Sequence, residues 1–157
     1  MNMKRISMAV CLFVAACGGE DGDSAAPPIA YEDMSFEQRV VFMNDVVMPE
    51  MKKVFVAFDP KFETMDCTTC HGNGAIDGTY TMPSPQIEAL PATEEAFLEY
   101  VKDPEKARWS QFMFDEVMTR MADLLEVAKF DHETAPNGFS CSNCHTHTVE
   151  EGPSEAP

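Results

Sequence analysis

The stretch Phe42-Met43-Asn44-Asp45-Val46-Val47-Met48-Pro49-Glu50-Met51 recurs without gaps as Phe112-Met113-Phe114-Asp115-Glu116-Val117-Met118-Thr119-Arg120-Met121. The shared pattern, F-M-x-D-x-V-M-x-x-M, marks an internal repeat, and a repeat governs the fold more than any isolated motif does. Further along, Phe58-Asp59 matches Phe130-Asp131. Cys67-Thr68-Thr69-Cys70-His71 then matches Cys141-Ser142-Asn143-Cys144-His145. Each unit reads as a methionine-bearing helix, a short connection and a Cys-x-x-Cys-His turn, in units of about 35–90 and 103–148.

The helix boundaries follow from local signals. Ser35 with Gln38 makes a capping box that starts a helix running towards Phe58. Pro49 is expected to kink or restart that helix, which places Met51 in a first turn. Thr93 with Glu94 and Glu95 opens a short helix ending near Lys102. Asp103-Pro104 opens the longest helix, to about Lys129, with Phe114, Met118, Met121 and Leu125 on one face. Gly72 to Pro91, rich in Gly and Pro, reads as an ordered loop. No segment alternates as a strand would, so the expected class is all-α with much loop.

A Cys-x-x-Cys pair followed at once by histidine is the signature of covalent c-type haem attachment. Two thiols three positions apart on a helical turn reach the two vinyl groups of one porphyrin, and the adjacent imidazole becomes the proximal iron ligand. Cys67, Cys70 and His71 would hold one haem, and Cys141, Cys144 and His145 a second. A zinc ribbon would need the two pairs closer in sequence, and a thioredoxin-like pair would need a βαβ context. Two plain disulfides would not need the histidines. The expected cofactors are therefore two covalently bound haem c groups, around which the two units pack.

The N-terminus fits export, which c-type haem attachment requires. Lys4 and Arg5 precede a short apolar run from Ile6 to Ala16, too short to span a bilayer and readable as a secretory signal, residues 1–16. Val14-Ala15-Ala16-Cys17 resembles the lipobox of bacterial lipoproteins, which makes Cys17 the expected lipidation site. Residues 17–34 then read as a flexible tether, 35–148 as the folded domain and 149–157 as a disordered tail. Gly18 is similar to the outer-membrane sorting pattern, so the expected location is the outer membrane, facing the periplasm. All six cysteines are thereby assigned, since Cys11 lies in the signal.

With 27 acidic against 11 basic residues, the net charge of −16 excludes nucleic acid as a partner and disfavours anionic headgroups. It suits encounter with exported redox proteins of basic surface.

Occupancy of the sixth iron position decides the redox chemistry. Methionine there raises the potential, because its soft thioether favours ferrous iron. Twelve methionines is a high count, and the repeat preserves three per unit. Such residues also serve as flexible core filler, but the V-M-x-x-M spacing ahead of each motif is more regular than filler requires.

Helix-borne methionine, connection, then C-x-x-C-H resembles the repeat of the cytochrome c subunit of photosynthetic reaction centres and its shorter non-photosynthetic dihaem relatives. The resemblance covers about residues 36–148. It is strongest in the second unit, where Lys106-Ala107-Arg108, Met118-Thr119-Arg120-Met121 and Cys141 to His145 follow the family's order. It implies a methionine from the preceding helix as distal ligand. The family's second-haem helix points to Met118, whereas the shorter spacing of its first unit favours Met51 over Met48. Equivalent methionines should serve both sites, and the irregularity that Pro49 brings beside Met48 favours Met51 and Met121. Met82, before Pro83, and His132, where the tetrahaem family sometimes has a histidine serving another haem, are further candidates. His147 is too close to His145 to reach the same iron.

The expected function is electron transfer by an exported, membrane-anchored dihaem cytochrome that is not an enzyme. The alternatives are a haem enzyme or gas sensor with one open site, and a zinc- or disulfide-bearing lipoprotein.

Overall fold

The structure, a computed structural model, describes residues 29–148. The signal segment, Cys17, most of the tether and the tail lie outside the described residues. Within 29–148 the regular elements are helical, with three isolated bridges and no strand. The all-α expectation is met.

The first repeat begins as its capping box dictates. Gln38 N donates to Ser35 Oγ at 3.3 Å, and Ser35 N donates to Gln38 Oε1 at 2.7 Å. From there Phe36–Phe42, Met43–Val47 and Met48–Phe58 run end to end as one rod, α1 (36–58). The middle segment is a π turn, closed by Met48 N–H donating to Met43 O. The short α2 (Thr68–His71) and α3 (Gly74–Asp77) follow, then α4 (Glu94–Tyr100), capped by Thr93 Oγ1. The second rod, α5 (104–125), starts at Pro104 with Asp103 accepting from Glu105 N and Lys106 N. It carries the same π turn, Met113–Val117, at the repeat-equivalent position.

One boundary differs from the sequence expectation, and one restart has another cause. The α-segment does resume at Met48–Phe58 with Pro49 at its start, where no N–H is needed, and Met51 in its first turn. Thr119 holds the equivalent place in α5 beside an identical turn, so the proline is not what makes the bulge. The second rod ends at Leu125 rather than Lys129, since Glu126 takes a left-handed conformation (φ 55°) and Val127 N turns back to Ala122 O. Phe114 does not share the buried face with Met118 and Leu125. It is 48% exposed, because the π turn breaks the helical period there, and Lys129 Nζ lies 4.2 Å from its ring.

Two crossed rods form the frame. The π turn of each packs on the α-segment that follows the other's π turn, a reciprocal contact. Glu50 and Arg120, equivalent in the repeat, meet at 3.4 Å. Contact between equivalent residues is what a local two-fold arrangement of the rods would give. Val47, Met51, Phe55, Met65 and Phe112 form the buried centre. Phe112 stacks on Phe58 (3.8 Å, 12°) and meets Phe55 and Trp109 edge-on.

The folded part begins earlier than composition suggests. Tyr31–Asp33 forms a 3-10 turn, fastened by Arg39 Nε to Tyr31 O (3.2 Å) and Nη2 to Glu32 O (2.8 Å). Residues 29–34, assigned to the tether on composition, thus join the domain.

Candidate functional site

A cavity of about 900 Å³ opens between the rods and the loops that follow them. One stripe of α1 lines it at strict spacings of four: Arg39, Met43, Val47, Met51 and Phe55. In an α-helix each four-residue step drifts about 40° around the axis, so such a stripe would spiral away. The extra residue taken up in the π turn winds the stripe back by about 100° and keeps it facing one cavity. The second rod lines the cavity with Val117, Met121 and Leu125, all at or beyond the end of its own π turn.

The structure sorts the sequence candidates. Cys67, Cys70, His71 and Cys144 line the cavity, together with Met51, Met121, Met48 and Met82. Met51 and Met121 are repeat-equivalent. Met118 is buried, 4% exposed, but is not among the residues that line the cavity. Cys141 and His145 flank the site without lining it, and His132 is exposed and apart. Among the described residues no three His, Cys, Asp or Glu side chains gather as a metal-ion ligand set, and the four cysteines are free thiols.

Both C-x-x-C-H turns are held by one loop. After His71 the chain reverses at Gly72 (φ 53°), and Asn73 N donates to Gln86 Oε1 at 3.2 Å. Ser84 N donates to Cys144 O (3.1 Å), Leu90 N to Thr146 O (2.9 Å) and Thr148 N to Leu90 O (2.9 Å). His145 Nδ1 donates to Glu88 O at 2.8 Å, and the Glu88 carboxylate is itself paired with Lys106. A carbonyl partner fixes the proton on Nδ1, which leaves Nε2 of His145 free to bind a metal. His147 is engaged at both nitrogens, to Pro91 O and Ser142 Oγ.

His71 differs from His145. Its Nδ1 is buried without a hydrogen-bond partner, while its ring meets Tyr80 edge-on at 5.4 Å. Burial lowers its pKa. The Tyr80 backbone pulls the other way but forms no bond of acceptable geometry. The neutral imidazole so favoured is the form that ligates metal.

Burial pushes the Cys70 thiol up to about 11, with Cys67 adding to the shift. It pushes Cys144 up to about 12, with Cys70 and Cys141 adding. That Cys144 feels Cys70 places the two motifs side by side. Cys141 is raised by burial too, against the opposing pull of its backbone hydrogen bond and Lys129.

The second motif depends on a tight turn. Phe139 N donates to Ala128 O (2.7 Å) and Phe130 N to Phe139 O (2.9 Å). Gly138 sits inside this crossing, where a Cβ would lie 2.7 Å from Lys129 C and Phe130 N. Backbone cannot yield as a side chain can. Gly138→Ala is expected to cost about 1–3 kcal/mol through overpacking, read as a lowered urea midpoint. An unchanged midpoint would show that the crossing is loose.

Sequence reasoning missed Tyr31, Arg39 and Met65 as cavity residues. The signal for Arg39 was present in the spacing of four from residue 39 to 55, which a search at 3.6 residues per turn discards. No protein-family model, no curated protein and no solved structure matches this chain.

Proposed function

We propose that the chain is an exported, lipid-anchored electron carrier holding two haem c groups, as the motif-level resemblance to the reaction-centre cytochrome c subunit implies. The observation that carries the reading is one apolar cavity lined by Cys67, Cys70 and His71 of the first motif, Cys144 of the second and a repeat-equivalent pair of methionines, Met51 and Met121. Haem supplies a one-electron couple when bound. The residues of the chain fit such a group. Cys67 with Cys70, and Cys141 with Cys144, would hold it by thioether bonds, and His71 and His145 would ligate it with Nε2. Met51 and Met121 would offer thioethers from the two rods, and the Met-, Val- and Phe-rich wall would exclude water. The acidic surface favours basic redox partners. Cys17 would carry the lipid; no helix among the described residues is long and apolar enough to cross a membrane.

The zinc alternative has little support, because no set of three ligands converges among the described residues. The test is a haem stain on denaturing gels with the intact mass of the exported chain, which also reports the lipid on Cys17. Two haems per chain are expected. None, where a control cytochrome matures, would sink the reading. In the loaded protein, Met51→Ala and Met121→Ala should each leave haem attached but lower one potential or admit carbon monoxide. Effects from Met48→Ala and Met118→Ala instead would move the ligands by one helical turn.

A further inference from the structure

Among the described residues, Arg39 is the sole lysine or arginine lining the cavity. Lys53, Lys61, Lys102, Lys106, Arg108 and Arg120 lie against carboxylates, whereas Arg39, Lys52 and Lys129 form no ion pair there. Arg39 has no carboxylate partner among the described residues. Its Nε and one Nη2 hydrogen go to the carbonyls of Tyr31 and Glu32, and its guanidinium lies 5.1 Å from the Tyr31 ring centre. A guanidinium has five N–H donors, so three remain. Those two carbonyls anchor the group without neutralising it. Among the described residues the one acid on the wall, Asp66, is bonded through Oδ1 to Thr68 N (2.9 Å) and the Thr68 hydroxyl and makes no ion pair with Arg39. A fixed cation with no ion-pair partner on the wall of an apolar cavity is a site for an anion, and the planar fork suits a carboxylate.

We propose that Arg39, with Tyr31 beside it, is the anchor for a carboxylate of the cavity's ligand. On the haem reading, from which this inference starts, that carboxylate is a propionate of the haem held by Cys67, Cys70 and His71. Arg39 is then a positioning residue, which also sets the charge near one iron and not the other. Its counterpart in the second rod is Trp109, which carries no charge, so the second unit has no cation at the equivalent place, and Lys129, which bears on Cys141, comes from beyond the rod instead.

The experiment is a spectroelectrochemical titration of the haem-loaded full chain beside Arg39→Gln and Arg39→Lys. Removing a cation favours ferric iron. In Arg39→Gln one of the two midpoints should fall by about 59 mV, a tenfold change in the reduced-to-oxidised ratio of a one-electron couple, while the other stays put. Arg39→Lys keeps the charge but loses the fork, and should hold that midpoint within about threefold of the parent, less than 30 mV. Unmoved midpoints in Arg39→Gln, or equal falls in both, would overturn the proposal, as would a lysine variant that behaves like glutamine. If Arg39→Gln does not accumulate, Arg39→Met, equally uncharged, is read by the same criterion. A parent chain that attaches no haem would fail the proposed function instead, and the haem stain separates the two failures.

Discussion

A chain exported without haem is expected to show no cooperative unfolding transition, although part of its helical signal should persist. The argument is volumetric. Cavities left by removed side chains cost about 24 cal/mol per Å³, and a space of about 900 Å³ taken at that rate is roughly 20 kcal/mol. Water entering the cavity would relieve much of this, and the remainder is set against the 5–15 kcal/mol or so by which a domain is stable at all. The buried centre that opposes it is five side chains with twelve partly buried hydrophobic residues packed on them, several of which themselves line the cavity. Circular dichroism during urea unfolding, with and without a haem-attachment system, reads the difference. A sharp transition in the haem-free chain would mean that the rods hold each other unaided, and the cavity would need another explanation.

Phe112→Ala is expected to cost about 3–5 kcal/mol, the range for emptying a large aromatic from a core. Phe112 comes from the second repeat, whereas its ring partners Phe55 and Phe58 come from the first. The loss therefore falls on the joint between units and should lower the stability of the loaded protein without removing haem from either motif. Urea unfolding followed at the haem absorbance and in the far ultraviolet should move together. A loss below about 1 kcal/mol would show that the stacked rings carry little of the joint.

Much of the frame was legible from local chemistry. The Ser35–Gln38 box, the Thr93 cap and the Asp103-Pro104 start lie where residue type places them, because capping depends on a few atoms within one turn. The C-x-x-C-H turns were legible for the same reason. The π turns were not, since no single residue specifies them: Pro49 and Thr119 flank the same bulge. Met48, Met51 and Met121 all line the cavity while Met118 does not, a difference between equivalent positions that the repeat pattern does not show. The partners of His145 and Cys144 were illegible too, because backbone groups of Ser84 and Glu88 supply them, and a carbonyl leaves no mark in residue identity.

The contact between Glu50 and Arg120 carries one more consequence. Two separate copies of a half-length chain, paired about a dyad, would present the same side chain to itself at the axis, acid to acid or base to base. Like charges so placed repel, and no substitution can turn them into an opposite pair, because it changes both copies at once. Fusing the halves into one polypeptide lifts that constraint. The axial position can then hold opposite charges, and the covalent link leaves the chain free to become two unlike halves.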